Sequence, residues 1–342
     1  MASFEYHLPP AAIAQEPAEP RTAARLLVAT EPTGPVDHRR VADLPELLAP
    51  GDVVVVNDTR VLPARLRLRK ATGARIEVLL LEPTGDGEWE GLVRPGRRAP
   101  PGTVLLHGTV AVAEVGPPAP MHGGCVWGRD GRRVVRILDP KLADEIGEVA
   151  LPPYIDRPLA DPERYQTVYA RRPGSVAAPT AGLHLTTGLL DAVRAAGAQV
   201  ASVDLAVGLD TFRPMTGDRP QDHVMHSEAY IVPVATWAAC QAARRVLAVG
   251  TTTVRALESA AATGKLEGRT SLFIRGSHPW RVVDLLLTNF HLPRSSLLVM
   301  VEAFYGPGWR NLYDLALAEG YRFLSFGDAM LLARRANGQL ER

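Results

Sequence analysis

Gly51-Asp52-Val53-Val54-Val55-Val56-Asn57-Asp58-Thr59-Arg60 is followed within a few residues by Arg65-Leu66-Arg67-Leu68-Arg69, which sets two kinds of strand close together. Residues 53 to 56 have no polar face, as expected of a strand covered on both sides of its sheet. Residues 65 to 69 alternate strictly, so one face is apolar and the other basic. The alternation returns in Arg75-Ile76-Glu77-Val78-Leu79 and Arg133-Val134-Val135-Arg136-Ile137, with Gly and Pro clusters between the runs. Short strands at this spacing predict an antiparallel barrel or sandwich. Residues 95 to 102 (PGRRAPPG) and 116 to 124 (GPPAPMHGG) are rich in breakers and are expected to be loops.

After Leu151 the texture changes to helices separated by apolar strands. Thr186 or Thr187 is expected to cap a helix ending at Gly197, and residues 200 to 207 read as a buried strand. Residues 235 to 245 read as helix and 246 to 249 as strand, and Thr251 or Thr252 is expected to cap a helix closed by Gly264. Residues 281 to 290 are strand-like, Pro293 is placed as the first residue of a helix, and residues 311 to 319 form another helix closed by Gly320. Alternating strands and helices imply a layered α/β domain. The run at 53 to 56 resembles these later strands although it precedes the alternating module. The expected architecture is therefore an α/β catalytic domain of residues 1–60 and 150–342, with an antiparallel β-barrel-like domain, residues 61–149, inserted into it.

The chain has 342 residues and a net charge of +1, with 46% apolar and 22% charged residues, which excludes a mostly disordered or fibrous chain. No apolar run approaches the roughly 20 residues of a membrane span, and the first residues lack the pattern of a secretory signal. Two cysteines, Cys125 and Cys240, suit a reducing compartment, so a cytoplasmic protein is expected; a monomer is a separate expectation. The net charge hides an asymmetry, because residues 60 to 139 hold 13 Lys+Arg against 8 Asp+Glu. A basic module on a near-neutral chain points to a polyanionic partner.

The common nucleotide, phosphate and zinc fingerprints (GxGxxG after a strand, GxxxxGK[ST], HExxH, CxxC) are missing. What remains is a series of polar clusters at the ends of apolar strands, where open α/β sheets bind their ligands. They are Asn57-Asp58-Thr59-Arg60; Thr180 and His184 in APTAGLH; His223, His226 and Glu228; Thr251, Thr252, Thr253 and Arg255 in GTTTVR; and Asn289 and His291 in TNFHLP. Pro and Gly around Thr180, and the hydroxyls at a helix start at Thr251, suit an anion or carboxylate. His223 and His226, with Glu228 two residues on, suit a metal or a base with its orienting partner.

The same clusters sit in longer strings: NDTRVLPARL from Asn57, IEVLLLE from Ile76, LPPYI from Leu151, ERYQTVYA from Glu163, GSVAAPTAGLH from Gly174, MHSE from Met225, GTTTVR from Gly250, TNFHLP from Thr288 and SFGDAML from Ser325. In these strings, and in AQEP at Ala14 with Arg21 and Arg25-Leu26-Leu27, the chain resembles the S-adenosylmethionine:tRNA ribosyltransferase-isomerase family of the queuosine pathway, nearly end to end. The resemblance implies transfer of the ribosyl part of S-adenosylmethionine to the aminomethyl group of 7-aminomethyl-7-deazaguanine in tRNA. Adenine and methionine leave, and the ribosyl carbons become an epoxycyclopentane. It implies no metal or redox cofactor.

The chemistry asks for particular groups. The sulfonium acidifies the C5′ hydrogens, so a positioned base forms an ylide, and the acceptor amine must be neutral to attack; both demands favour histidine titrating near neutrality. His184, His226 or His291 is the expected general base, with Glu228 orienting a histidine. Arg60 or Arg255 is expected to hold the methionine carboxylate, Asp58 to contact ribose or adenine, and Thr180, Thr251, Thr252, Thr253 and Asn289 to line the binding site. Arg67, Arg69, Arg97, Arg98, Arg132 and Arg133 are expected phosphate contacts. The family pattern VDLHVGLGTFRP is met here with Ala206 in place of histidine and Asp210 in place of glycine. That departure leaves two further readings: a paralogue that consumes S-adenosylmethionine with a small-molecule acceptor, and a catalytically silent RNA-binding protein.

Overall fold

A computed structural model describes residues 2–31, 34–119, 131–208, 215, 220–223, 225 and 227–335. Contacts divide the chain into two compact units, Met1–Arg60 with Pro152–Arg172 and Ala178–Arg342, and Val61–Leu151 with Pro173–Ala177. The architecture is the expected layered α/β body interrupted by a closed antiparallel barrel.

The first unit is built on a nine-stranded sheet. Its centre is four parallel strands in the order Gln199–Leu205, Asp52–Asn57, Arg245–Val249 and Leu285–Asn289. Every residue of Asp52–Asn57 and of Leu285–Asn289 is buried, which explains their lack of a polar face. Ala329–Ala333 continues the sheet antiparallel to Leu285–Asn289, followed by Arg25–Ala29 and Asp37–Arg40. At the opposite edge Glu228–Ile231 and Glu267–Thr270 pair antiparallel. Val54, Val56, Leu247, Val249 and Leu287 pack one face against Leu189, Leu190 and Val193 of the helix Thr187–Ala195. The Thr186 hydroxyl caps that helix by accepting from the Leu189 N–H, as expected.

Two helix starts differ from the sequence reading. The helix Thr251–Thr263 begins at a glycine N-cap, Gly250, with no side-chain cap; Thr251 and Thr252 belong to its first turn. Gly250 has φ 88°, a conformation that L side chains adopt only with strain. Pro293 lies before its helix, Ser296–Tyr305, which is capped by the Ser295 hydroxyl accepting from Leu298 N–H. Among the described residues no helix is long and apolar enough to cross a membrane.

The second unit closes six strands in the order Arg132–Ile137, Glu88–Arg94, Arg75–Gly85, Arg65–Arg69, Thr103–His107 and Val110–Pro118, all neighbours antiparallel. Period-two alternation sends Leu66, Val78, Val93, Val112 and Val135 into a dry interior, each with 0% exposure. The expected loop from Gly116 is overturned at its start. Gly116, Pro117 and Pro118 finish the strand Val110–Pro118, where a register shift opposite Arg133 and Val135 relaxes the ladder that proline cannot complete. The rest of that segment, with Cys125, lies outside the described residues.

Candidate active site

The four central strands lie side by side; two of them end in Asn57 and Asn289, and Thr251 and Thr252 follow the end of a third. Asn57 closes Asp52–Asn57 with its side chain fully buried. Its Nδ2 donates to the Leu205 carbonyl at 3.0 Å and to Thr252 Oγ1 at 3.2 Å, while its Oδ1 accepts from the Leu205 N–H at 3.1 Å. One amide thus fixes the ends of two strands and the first turn of a helix.

Asn289 does the same for the strand Leu285–Asn289. Its Oδ1 accepts from the Thr180 hydroxyl at 2.9 Å, and its Nδ2 donates to His184 Nε2 at 3.2 Å and toward the Asp328 carbonyl at 3.4 Å. Because the Asn289 nitrogen is the donor in this assignment, His184 Nε2 is an acceptor and the ring is neutral. Burial, reinforced by Arg322 and Arg21, pushes the His184 pKa down to about 4. Arg21 also donates to the Leu183 carbonyl at 2.9 Å and so holds the Thr180–His184 turn. The turn has no room for a larger residue at Gly182, where an added Cβ would stand 2.0 Å from the Tyr169 hydroxyl.

His291 follows the same strand. Its Nε2 lies 2.9 Å from the Thr288 hydroxyl, its backbone N–H donates to the Tyr313 hydroxyl at 3.0 Å, and its carbonyl accepts from Tyr6. Burial pushes its pKa down to about 3. Both described candidate bases are therefore neutral at pH 7 but titrate well below neutrality, which corrects the expectation of near-neutral pKa values. The third, His226, lies outside the described residues, as does Asp210.

Two cavities open at these strand ends. The first is lined by Thr180, Thr251, Thr252, Asn289 and His291, with Tyr154 and Ser325 at its wall. The second shares Thr251, Thr252 and Leu297 with the first, and its further lining includes His223, Met225, Glu228, Arg255 and Phe273.

The structure sets the other candidates apart. Thr253 turns its hydroxyl back to the Val249 carbonyl at 2.7 Å and is fully buried, so it lines neither cavity. Arg255 is engaged by Glu228 in a buried ion pair and donates to the Leu272 and Thr270 carbonyls at 3.2 and 3.3 Å. Glu228 also accepts from the Gly208 N–H at 3.1 Å, so among the described residues its partner is an arginine and not the expected histidine. Arg60 pairs with Glu163 at 2.6 Å on an exposed surface and lines neither cavity. Asp58, 4% exposed, receives Arg171 at 2.9 Å and likewise lines neither. Arg21, Tyr6 and Tyr313 have no role in the sequence reading, and Asn57 enters it only as a member of its cluster. Arg21 and Asn57 do lie in strings that carry the family resemblance, which is the signal that marks them.

Comparison with known proteins identifies the family of the chain. The family model described as "Queuosine biosynthesis protein" matches residues 1–332. The S-adenosylmethionine:tRNA ribosyltransferase-isomerase of Thermus thermophilus is 51% identical, over 97% of this chain and 99% of its own length. That of Moorella thermoacetica is 49% identical, over 96% and 98%. Among solved structures, the S-adenosylmethionine tRNA ribosyltransferase of Thermotoga maritima is 37% identical with a TM-score of 0.55, covering 96% of this chain and 99% of its own. With a model matched along nearly the whole chain and relatives near half identity over both lengths, the chain belongs to the queuosine biosynthesis protein family of S-adenosylmethionine:tRNA ribosyltransferase-isomerases.

Proposed function

We propose that this protein transfers and isomerises the ribosyl moiety of S-adenosylmethionine onto the 7-aminomethyl-7-deazaguanine base of a tRNA, releasing adenine and methionine. The observation that carries the reading is family membership along the whole chain, relatives of that printed activity included. The α/β unit holds the chemistry, and S-adenosylmethionine occupies the first cavity, lined by Thr180, Thr251, Thr252, Asn289 and His291.

With Arg60 and Arg255 committed to carboxylates of the protein, the methionine carboxylate falls to the start of the helix Thr251–Thr263. Its first N–H groups have no side-chain cap and carry the positive end of the helix dipole. His291 is the base at the ribosyl carbon, since it lines the cavity and its Nε2 lies 2.9 Å from the Thr288 hydroxyl. His184 acts through Asn289 as a positioning group. A neutral imidazole of depressed pKa accepts the C5′ proton in the correct protonation state at pH 7, and geometry has priority over pKa in choosing between candidates.

The deciding experiment incubates the protein and S-adenosylmethionine with and without tRNA bearing the aminomethyl-deazaguanine. Adenine release, methionine release and the mass of the modified nucleoside are followed. Release that depends on that tRNA, with the mass of the epoxycyclopentane product, is expected. Tight tRNA binding without release, or release that ignores tRNA, would overturn the proposal.

A further inference from the structure

The outer wall of the barrel unit carries a feature that ribosyl chemistry does not use. Arg67 and Arg69 lie on Arg65–Arg69, Arg75 and Glu77 on Arg75–Gly85, and Arg94 ends Glu88–Arg94, three consecutive neighbours in the barrel. Their apolar neighbours Leu66, Leu68, Ile76 and Val78 fill the interior, so the charged side chains share the outer face. Register places Arg69 directly opposite Arg75, and Glu77 between Arg67 and Arg94. The five charged residues line a shared concavity.

This arrangement costs stability, because like charges directly opposite on a sheet repel. Neutralisation is also incomplete. Arg67 reaches Glu148 at 2.9 Å and Arg69 donates to the Gly73 carbonyl at 3.4 Å. The side chains of Arg75 and Arg94 are exposed and make no hydrogen bond or ion pair with the described residues. Arg132 and Arg133, expected above to meet phosphate, are otherwise engaged: Arg132 forms a largely buried pair with Glu90 at 2.5 Å, and Arg133 donates to the Arg132 carbonyl at 3.0 Å.

Resting on the reading that the acceptor is a tRNA, we propose that this concavity is a docking surface for the RNA phosphate backbone, with Arg75 and Arg94 as its principal contacts. Guanidinium forks match phosphate oxygens two at a time. A rigid strand scaffold presents the four arginines together without ordering a loop. Backbone contacts position the nucleic acid and carry no sequence information, so base choice rests with the cavity.

The test measures binding of an unmodified tRNA transcript to the full chain by fluorescence anisotropy over a range of salt, without S-adenosylmethionine. Four proteins are compared: the native chain, Arg75→Ala with Arg94→Ala, Arg75→Lys with Arg94→Lys, and Arg39→Ala with Arg194→Ala. The last pair removes the same charge from exposed positions of the other unit. Each phosphate contact contributes about −0.7 to −0.9 to the salt exponent. The double alanine variant should therefore lose about 1.5 from the slope and roughly twentyfold in affinity near 0.15 M salt. The lysine variant should keep most of the slope, and the distant control should stay within about twofold of the native chain. Unchanged binding by the alanine variant, or an equal loss in the distant control, overturns the proposal. Failure of the underlying reading looks different: tRNA bound through these arginines with no tRNA-dependent adenine release would sink the ribosyl-transfer assignment and leave the surface standing.

Discussion

Asn289→Asp changes one atom type at the centre of the site and should reverse the protonation of His184. In the native chain the Asn289 Nδ2 donates to His184 Nε2 at 3.2 Å, so the ring is held as an acceptor and its pKa lies at about 4. Relative to an unperturbed value of 6.5, protonating the buried ring costs about 3 kcal/mol, at 1.36 kcal/mol per unit. A carboxylate at the same 3.2 Å would attract the imidazolium by about 5 kcal/mol at an effective dielectric constant of 20. The attraction exceeds the burial cost, and the pKa should rise from about 4 to roughly 7, with part of the gain spent on desolvating the new carboxylate.

The sign of the pH dependence follows. A histidine with a depressed folded pKa contributes stability that is lost as pH falls below the unfolded value of about 6.5. A histidine with a raised pKa contributes stability that is present at low pH and lost as pH rises through the folded value. The His184 contribution should therefore change sign on substitution. Its ring C2–H resonance, assigned with His184→Asn, reports the titration directly, and urea unfolding between pH 5 and 8 reports the linkage. A folded Asn289→Asp protein whose His184 stays neutral at pH 5 would refute the contact geometry. If His184 acts only through Asn289, adenine release at pH 7 should fall roughly a hundredfold with S-adenosylmethionine affinity less affected.

In the native chain, His184 and His291 are both neutral when folded, so between pH 7 and pH 5 each should cost about 2 kcal/mol of stability. Urea midpoints of His291→Asn should show about half the native acid sensitivity from this pair, and an unchanged slope would contradict the burial of His291. Arg255→Met leaves Glu228 as an uncompensated buried charge and should destabilise by about 3–5 kcal/mol, whereas adding Glu228→Met should recover most of the loss. A single Arg255→Met with native stability would show that the pair is not buried support. Ala206 lines neither cavity although its neighbour Val207 lines the first, so Ala206→His should leave tRNA-dependent adenine release within about twofold. A tenfold rise would mean that the missing imidazole limits this chain.

The fold was readable because each burial regime leaves its own period in the chain. Residues 53 to 56 are uniformly apolar since helices and loops cover both faces of their sheet, and residues 65 to 69 alternate since a barrel has one inside. Helix starts were less readable. A threonine after a strand serves equally well as a cap or as a first-turn residue, and what separates the two at Gly250-Thr251 is the positive φ of the glycine. The same limit placed the start at Pro293 when Ser295 supplies the capping oxygen.

The site divides along a similar line, between what a strand end dictates and what a distant partner decides. Thr180, Thr251, Thr252, Asn289 and His291 follow from the rule that ligands gather at the ends of parallel strands, and all five face the first cavity. Arg60 and Arg255 obey the same rule in sequence, yet Glu163 and Glu228, 103 and 27 residues away, take their charges. A free cation and a paired one are identical in a string of letters, because pairing is a property of the packed chain. Asn57 and Asn289 show the converse. The sequence places both at strand ends but not their partners: each ends a fully buried strand, where an amide must satisfy both its donor and its acceptor. The partners that satisfy them are Thr252 in one case and Thr180 with His184 in the other. The need to pair two buried amides therefore fixes where the cavity's hydroxyls sit, and where His184 sits behind Asn289, before any ligand arrives.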